Sequence, residues 1–209
     1  FLYSRAFQMM VTVDSMAVQR IMADATNRIA EGEVLQLLIQ NEPEVEEARY
    51  LEVISAKTAR LFAAGAELGA VLTGQDETIR QALFQYGHQL GLAFQIADDW
   101  LDYGGDPEQL GKNRGDDLME GKPTLPMIQA IARTTGDERA LLVTALREGD
   151  GSRLEDIVRI MRACGALDAC LERIGDCVTE AVRALEVLPP SPYQQALEAL
   201  AHHAGSRSY

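Results

Sequence analysis

Cysteine, basic charge and long apolar runs are all scarce in this sequence of 209 residues. Only Cys164, Cys170 and Cys177 occur, an odd number, and none stands at zinc-finger spacing from another cysteine or from His88, His202 or His203. On one helix Cys170 and Cys177 would lie roughly 10 Å apart along the axis, beyond disulfide reach. All three are read as reduced packing thiols. The formal net charge of −13 argues against nucleic acid and against an electrostatic grip on anionic membranes, since both need a basic surface. No apolar run approaches the ~20 residues that span a bilayer, and no segment is built like a signal peptide. No stable membrane insertion and a cytoplasmic location are therefore expected. Alternating strand patterns, internal repeats and low-complexity tracts are missing too.

What is present is a folded, helical composition. Hydrophobic residues make up 47% and charged residues 24%, enough for one substantial core. Apolar residues recur at three and four positions through 16–40 (Ile21, Ala25, Ile29), 45–72, 76–103 (Leu83, Tyr86, Leu90, Phe94), 153–164 and 167–187, and each stretch predicts a helix. Breaks fall at Asn41 to Pro43, Gly74, Gly104-Gly105, 111–123, Gly136, Gly149 to Gly151, Gly165 and Pro189-Pro190. None is long enough for a linker, so residues 1–209 read as a single all-α domain. The tail from Gly205 is expected to fray.

The most informative pattern is Asp98-Asp99-Trp100-Leu101-Asp102, a D-D-x-x-D triplet between Leu90, Leu92, Phe94 and Ile96. On a helix Asp98 and Asp102 project from one face roughly 6 Å apart along the axis, with Asp99 about 100° round it. Clustered carboxylates in apolar surroundings call for a cation, and Mg²⁺ suits them because it takes one or two carboxylates together with substrate phosphates. Taken alone, the triplet fits a solvated helix face equally well.

The neighbouring segments decide between the two. Residues 110–126 hold Gly111, Gly115, Gly121, Pro123 and Pro126, a loop whose Lys112 and Lys122 are able to reach back over the carboxylates. Upstream, Lys57 sits beside Thr58 in the apolar stretch Ile54 to Phe62. Lysine next to a hydroxyl, near Mg²⁺ ligands, suits a diphosphate.

In order along the chain stand Ala6-Phe7-Gln8-Met9-Met10, Ala30-Glu31-Gly32-Glu33-Val34-Leu35-Gln36-Leu37, Ser55 with Lys57-Thr58-Ala59, Phe94-Gln95 leading into the aspartate triplet, and the loop from Gly111-Lys112 to Pro126. This succession resembles the trans-isoprenyl diphosphate synthase family, among it the bacterial long-chain members of the octaprenyl type, over essentially the whole chain. The resemblance implies an antiparallel helical bundle around a central cavity and a Mg²⁺-dependent prenyltransferase. Such an enzyme condenses isopentenyl diphosphate with an allylic diphosphate, here for a quinone side chain, usually as a homodimer.

By the same resemblance Asp98 is a direct Mg²⁺ ligand, while Asp99 and Asp102 bind metal through water or orient its ligands. Lys57, Lys112 and Lys122 hold diphosphate, and Thr58 and Gln95 stabilise the allylic cation with neutral oxygen dipoles. The family has two aspartate-rich motifs, of which this sequence contains the second, Asp98 to Asp102, and not the first. The first is expected upstream of Phe1, with the N-terminal helices, so that the chain reads as a C-terminal part with the second half-site and no activity of its own. Asp116, Asp117 and Glu120 belong to the loop pattern and are not taken as a substitute. His88, His202 and His203 receive no role, and Trp100 is read as core.

Two other readings stand beside this one. A non-catalytic partner subunit of the same fold would tolerate the missing motif, although nothing would then keep pocket lysines and buried carboxylates in place. A terpene cyclase or head-to-head condensing enzyme would share the fold and the metal. The Gly111-Lys112 and Gly121-Lys122-Pro123-Thr124 segments favour chain elongation.

Overall fold

The computed structural model describes residues 1–105 and 114–206, and every regular element among them is helical. Helix α1 (Leu2–Thr12) leads into α2 (Met16–Ile39), which starts where the Ser15 hydroxyl accepts the Val18 N–H at 3.4 Å. Helix α3 (Glu47–Ile54) runs through one π-helical turn, Ser55–Ala59, into α4 (Arg60–Leu72). Gly74 then reverses the chain, and the Asp76 carboxylate caps α5 (Glu77–Gly104) by accepting the Ile79 N–H at 3.0 Å. Beyond residue 113 follow α6 (Asp116–Met119), α7 (Leu125–Arg133), α8 (Gly136–Glu148), α9 (Leu154–Ala163), α10 (Ala166–Ala184) and α11 (Pro192–Gly205).

Helix α5 is the axle of the bundle, flanked by antiparallel α4 on one side and by α10 on another. One apolar cluster joins Tyr50 and Ile54 of α3, Leu90 and Ile96 of α5, Ile174 and Cys177 of α10, and Ala201 of α11. A second gathers Tyr103, Leu118, Met127, Leu142, Ile157 and Met161 at the far end of α5. Burying each large apolar side chain stabilises the fold by about 1.5–3 kcal/mol. Trp100, the sole tryptophan, is packed against both clusters. Cys170 and Cys177 are buried free thiols, and Cys164 is a half-buried one.

Two glycines place the segments that matter for the site. A Cβ on Gly32 would lie 2.6 Å from the Lys57 backbone nitrogen, so α2 and the π turn meet backbone to backbone only because residue 32 has no side chain. Gly121 has φ +67°, and its carbonyl accepts the Asn41 N–H at 2.7 Å, which ties the end of α2 to the stretch carrying Lys122.

The helices expected at 16–40, 76–103 and 153–164 end within a residue of those bounds. The one expected at 167–187 ends at Ala184 and continues as a single 3₁₀ turn, Leu185–Val187. The stretch 45–72 holds the π turn that periodicity does not reveal. Gly136, expected as a break, is the first residue of α8. Gly111, Lys112 and the end of the tail lie outside the described residues. Among those residues no helix is long and apolar enough to cross a membrane.

Candidate functional site

The α2 helix, the α3 helix with its π turn, α5 and the stretch 117–124 enclose a pocket of about 230 Å³. Its walls carry Gln36, Tyr50, Lys57, Thr58, Gln95, Asp98, Asp99, Asp117, Lys122 and Thr124. Residues separated by up to 88 positions thus share one enclosure, Gln36 at one end of the sequence interval and Thr124 at the other.

The lysines come in from opposite walls. Lys57, on the π turn, donates to Gln36 Oε1 at 2.9 Å and stands 3.3 Å from Glu33 Oε2. Lys122 donates to Asp117 Oδ1 at 2.8 Å and pairs with Glu120 Oε2 at 2.6 Å. Burial alone would lower the Lys122 pKa, but its hydrogen bonds to Asp117 and Glu120 prevail and raise it. Both side chains are held in place at the pocket by these acceptors, where a compact lysine head suits phosphate oxygens.

The three aspartates of the triplet diverge. Asp98 and Asp99 line the pocket, whereas Asp102 is not among its walls. Asp102 accepts the backbone N–H groups of Gly115 and Asp116 on Oδ1, at 3.1 and 3.2 Å, and that of Asp117 on Oδ2 at 3.2 Å. It anchors the stretch that brings Asp117 and Lys122 to the pocket. Burial, then the charge of Asp117, pushes the Asp102 pKa up to about 6, against the pull of those N–H donors.

Asp99 is 4% exposed, and both of its oxygens are occupied: Tyr50 donates to Oδ2 at 2.7 Å and the Gln95 amide to Oδ1 at 2.8 Å. Burial first and the Asp117 charge second raise its pKa to about 7, although both hydrogen bonds oppose the rise. Gln95 completes the chain by accepting the Thr58 hydroxyl at 2.9 Å. Thr58, Gln95, Asp99 and Tyr50 thus form one continuous hydrogen-bonded row along the pocket wall.

Among the described residues no three His, Cys, Asp or Glu side chains gather as a ready metal cage. The donors nevertheless fit a hard divalent cation that takes its remaining oxygens from phosphate and water, because Asp98 and Asp117 face a pocket that two lysines make receptive to an anion. The site brings together Lys57, Thr58, Gln95, Asp98, Asp99 and Lys122 of the expected set, turns Asp102 toward the backbone of 115–117, and leaves Lys112 outside the described residues. Sequence reasoning gives Tyr50, Gln36 and Asp117 no role at the site. Tyr50 looks like one more apolar core position. Asp117 carried a signal, an acid five residues before Lys122, that was assigned to the loop alone.

Residues 1–163 match the family model described as Polyprenyl synthetase. Over 208 residues the chain is 47% identical to octaprenyl diphosphate synthase of Escherichia coli, covering 99% of this chain and 64% of that protein. It is 46% identical over 197 residues to an all-trans-nonaprenyl-diphosphate synthase of Rhodobacter capsulatus, covering 94% and 60% respectively. The crystal structure of a polyprenyl synthase from Caulobacter crescentus, complexed with calcium and isoprenyl diphosphate, superposes with a TM-score of 0.94 at 47% identity, over 100% of this chain and 64% of that one. The chain spans under two thirds of the length of these relatives.

Proposed function

This chain belongs to the polyprenyl synthetase family, and on that premise we propose that its pocket serves prenyl transfer from an allylic diphosphate to isopentenyl diphosphate, lengthening a polyprenyl diphosphate destined for a quinone side chain. One observation carries the proposal: two lysines, Lys57 and Lys122, converge with Asp98 and the neutral Thr58–Gln95 pair in a single enclosure.

The difficult event is ionisation of the allylic C–O bond, which places negative charge on the departing diphosphate and positive charge on carbon. Lys57 and Lys122 answer the first charge as ammonium groups fixed by Gln36, Glu33, Asp117 and Glu120 before substrate arrives, so little reorganisation remains for the reaction itself. Lys112, ten positions before Lys122 in the sequence, is assigned to the diphosphate as well. Thr58 and Gln95 answer the second charge with oxygen dipoles that stabilise a cation without capturing it covalently. Asp98 would hold Mg²⁺, with Asp99 and Asp102 orienting its surroundings; the ion would neutralise diphosphate oxygens as a Lewis acid. The isopentenyl double bond forms the new C–C bond at the positively charged carbon, and the proton then lost from the adduct passes to the departed diphosphate, which leaves a chain longer by one isoprene unit.

The chain is placed in the cytoplasm as a single helical domain, acting as a homodimer. The homodimer is carried over from the family resemblance.

Calorimetric titration of a non-hydrolysable allylic diphosphate analogue, with and without Mg²⁺, tests the reading. Mg²⁺-dependent binding that disappears in Asp98→Ala is the expected result. A folded chain that binds no analogue in the presence of Mg²⁺ would sink the site assignment and favour a non-catalytic partner subunit.

A further inference from the structure

Asp99 meets Gln95 as an acceptor, and that fixes the direction of every hydrogen bond beyond it. The Gln95 amide nitrogen donates to Asp99 Oδ1 at 2.8 Å, and the other Asp99 oxygen already accepts from Tyr50, so both oxygens of the group serve as acceptors. The Gln95 carbonyl oxygen is therefore turned toward Thr58. It has no hydrogen, so the Thr58 hydroxyl commits its single proton to it at 2.9 Å. Thr58 is left with lone pairs and no O–H for the pocket that it lines. At the other end of the row the buried Tyr50 hydroxyl closes Asp99 Oδ2 at 2.7 Å, which keeps the carboxylate from turning.

We propose that Tyr50 and Asp99 are positioning residues that set the polarity of this row, so that Thr58 and Gln95 offer acceptor oxygens, and no O–H from Thr58, to positive charge developing on the substrate carbon. The inference rests on the prenyl-transfer reading of the pocket and adds to it the device that orients the two dipoles. An asparagine at position 99 would keep the shape and reverse the device. Its NH₂ group donates to Gln95, the Gln95 amide turns over to aim its own NH₂ at Thr58, and the Thr58 proton swings into the pocket. The wall then repels a cation that it formerly attracted.

The test compares two diphosphate ligands in the presence of Mg²⁺ at about pH 8: an allylic analogue with an ammonium nitrogen at the reacting carbon, and its uncharged carbon isostere. The native chain is expected to prefer the ammonium form. Asp99→Asn should reduce that preference by about tenfold, the loss expected when a hydrogen bond to a charged group becomes a repulsion. Asp117→Asn is the comparison: it removes one negative charge from the same pocket, and the Lys122 hydrogen bond with it, while leaving the Gln95 amide in place, and because both ligands carry the same diphosphate its effect on Lys122 and on Mg²⁺ cancels in the preference. Equal effects of the two substitutions would overturn the inference. Should Asp99→Asn fail to fold, nuclear Overhauser contacts in the native chain decide instead: Gln95 side-chain amide protons closer to the Tyr50 ring support the inference, and amide protons closer to the Thr58 methyl group overturn it. If neither ligand binds the native chain, the prenyl-transfer reading itself is wrong and the inference falls with it.

Discussion

Asn41 and Gly121 are joined at 2.7 Å, N–H to carbonyl, and both adopt left-handed backbone with φ of +61° and +67°. The junction holds the end of α2 to the stretch bearing Lys122. An added Cβ at 121 would fall 1.8 Å from Asn41 Oδ1 and would impose a side chain on a conformation that L residues disfavour by about 1–2 kcal/mol. Gly121→Ala is expected to lower unfolding free energy by about that amount in urea titration and to weaken diphosphate binding in parallel. Unchanged affinity would show that the junction does not position Lys122.

Acid should weaken the fold through His88. Burial first, then the nearby Arg60 charge, hold its pKa below the usual value near 6.5. Its Nε2 and the Ser55 hydroxyl are 2.8 Å apart, and its cavity is also lined by Asp24, Arg28 and Glu31. The unfolded chain takes up this proton more readily than the folded one. The stabilising contribution is therefore complete above about pH 6.5 and is lost as pH falls toward the lowered folded value. Asp99 and Asp102, whose pKa values are raised, change stability in the opposite sense, so the measurement is a difference. Between about pH 6.5 and 5, native protein should lose stability relative to His88→Gln in paired urea titrations. Parallel curves would remove His88 from the account.

The thiols should divide two to one. Burial pushes the Cys170 pKa up to about 12 and raises that of Cys177, which keeps both in the unreactive thiol form. Cys164 is half-buried. Alkylation of native protein followed by mass spectrometry should mark Cys164 first, with Cys170 and Cys177 reacting only on unfolding. Early modification of either buried thiol would contradict their place in the core.

The helical course was legible because its punctuation is local. Ser15 and Asp76 cap α2 and α5 from one residue away, and Gly74 and Gly165 turn the chain through left-handed backbone. Lys57, Thr58, Gln95, Asp98 and Lys122 were legible as a set because their residue types and order suit diphosphate chemistry. Their individual partners were not. Asp99 and Asp102 look interchangeable in the triplet, yet one accepts side-chain donors from α3 and α5 while the other accepts three backbone N–H groups from 115–117. That difference depends on which way each points in the folded bundle, something spacing along α5 does not encode. The π turn escaped for a related reason: its distinguishing mark is hydrogen-bond register, and the side chains of Ser55–Ala59 are compatible with an ordinary turn.

Trp100 sits where the two apolar clusters meet and, in sequence, midway between Asp98 and Asp102. Its indole nitrogen is buried without a hydrogen-bond partner among the described residues. The chain thus carries a single tryptophan whose indole nitrogen is shielded from solvent, and its emission colour registers when water reaches the seam between the clusters. Loosening of either half of the bundle becomes visible in one optical signal, with no label attached.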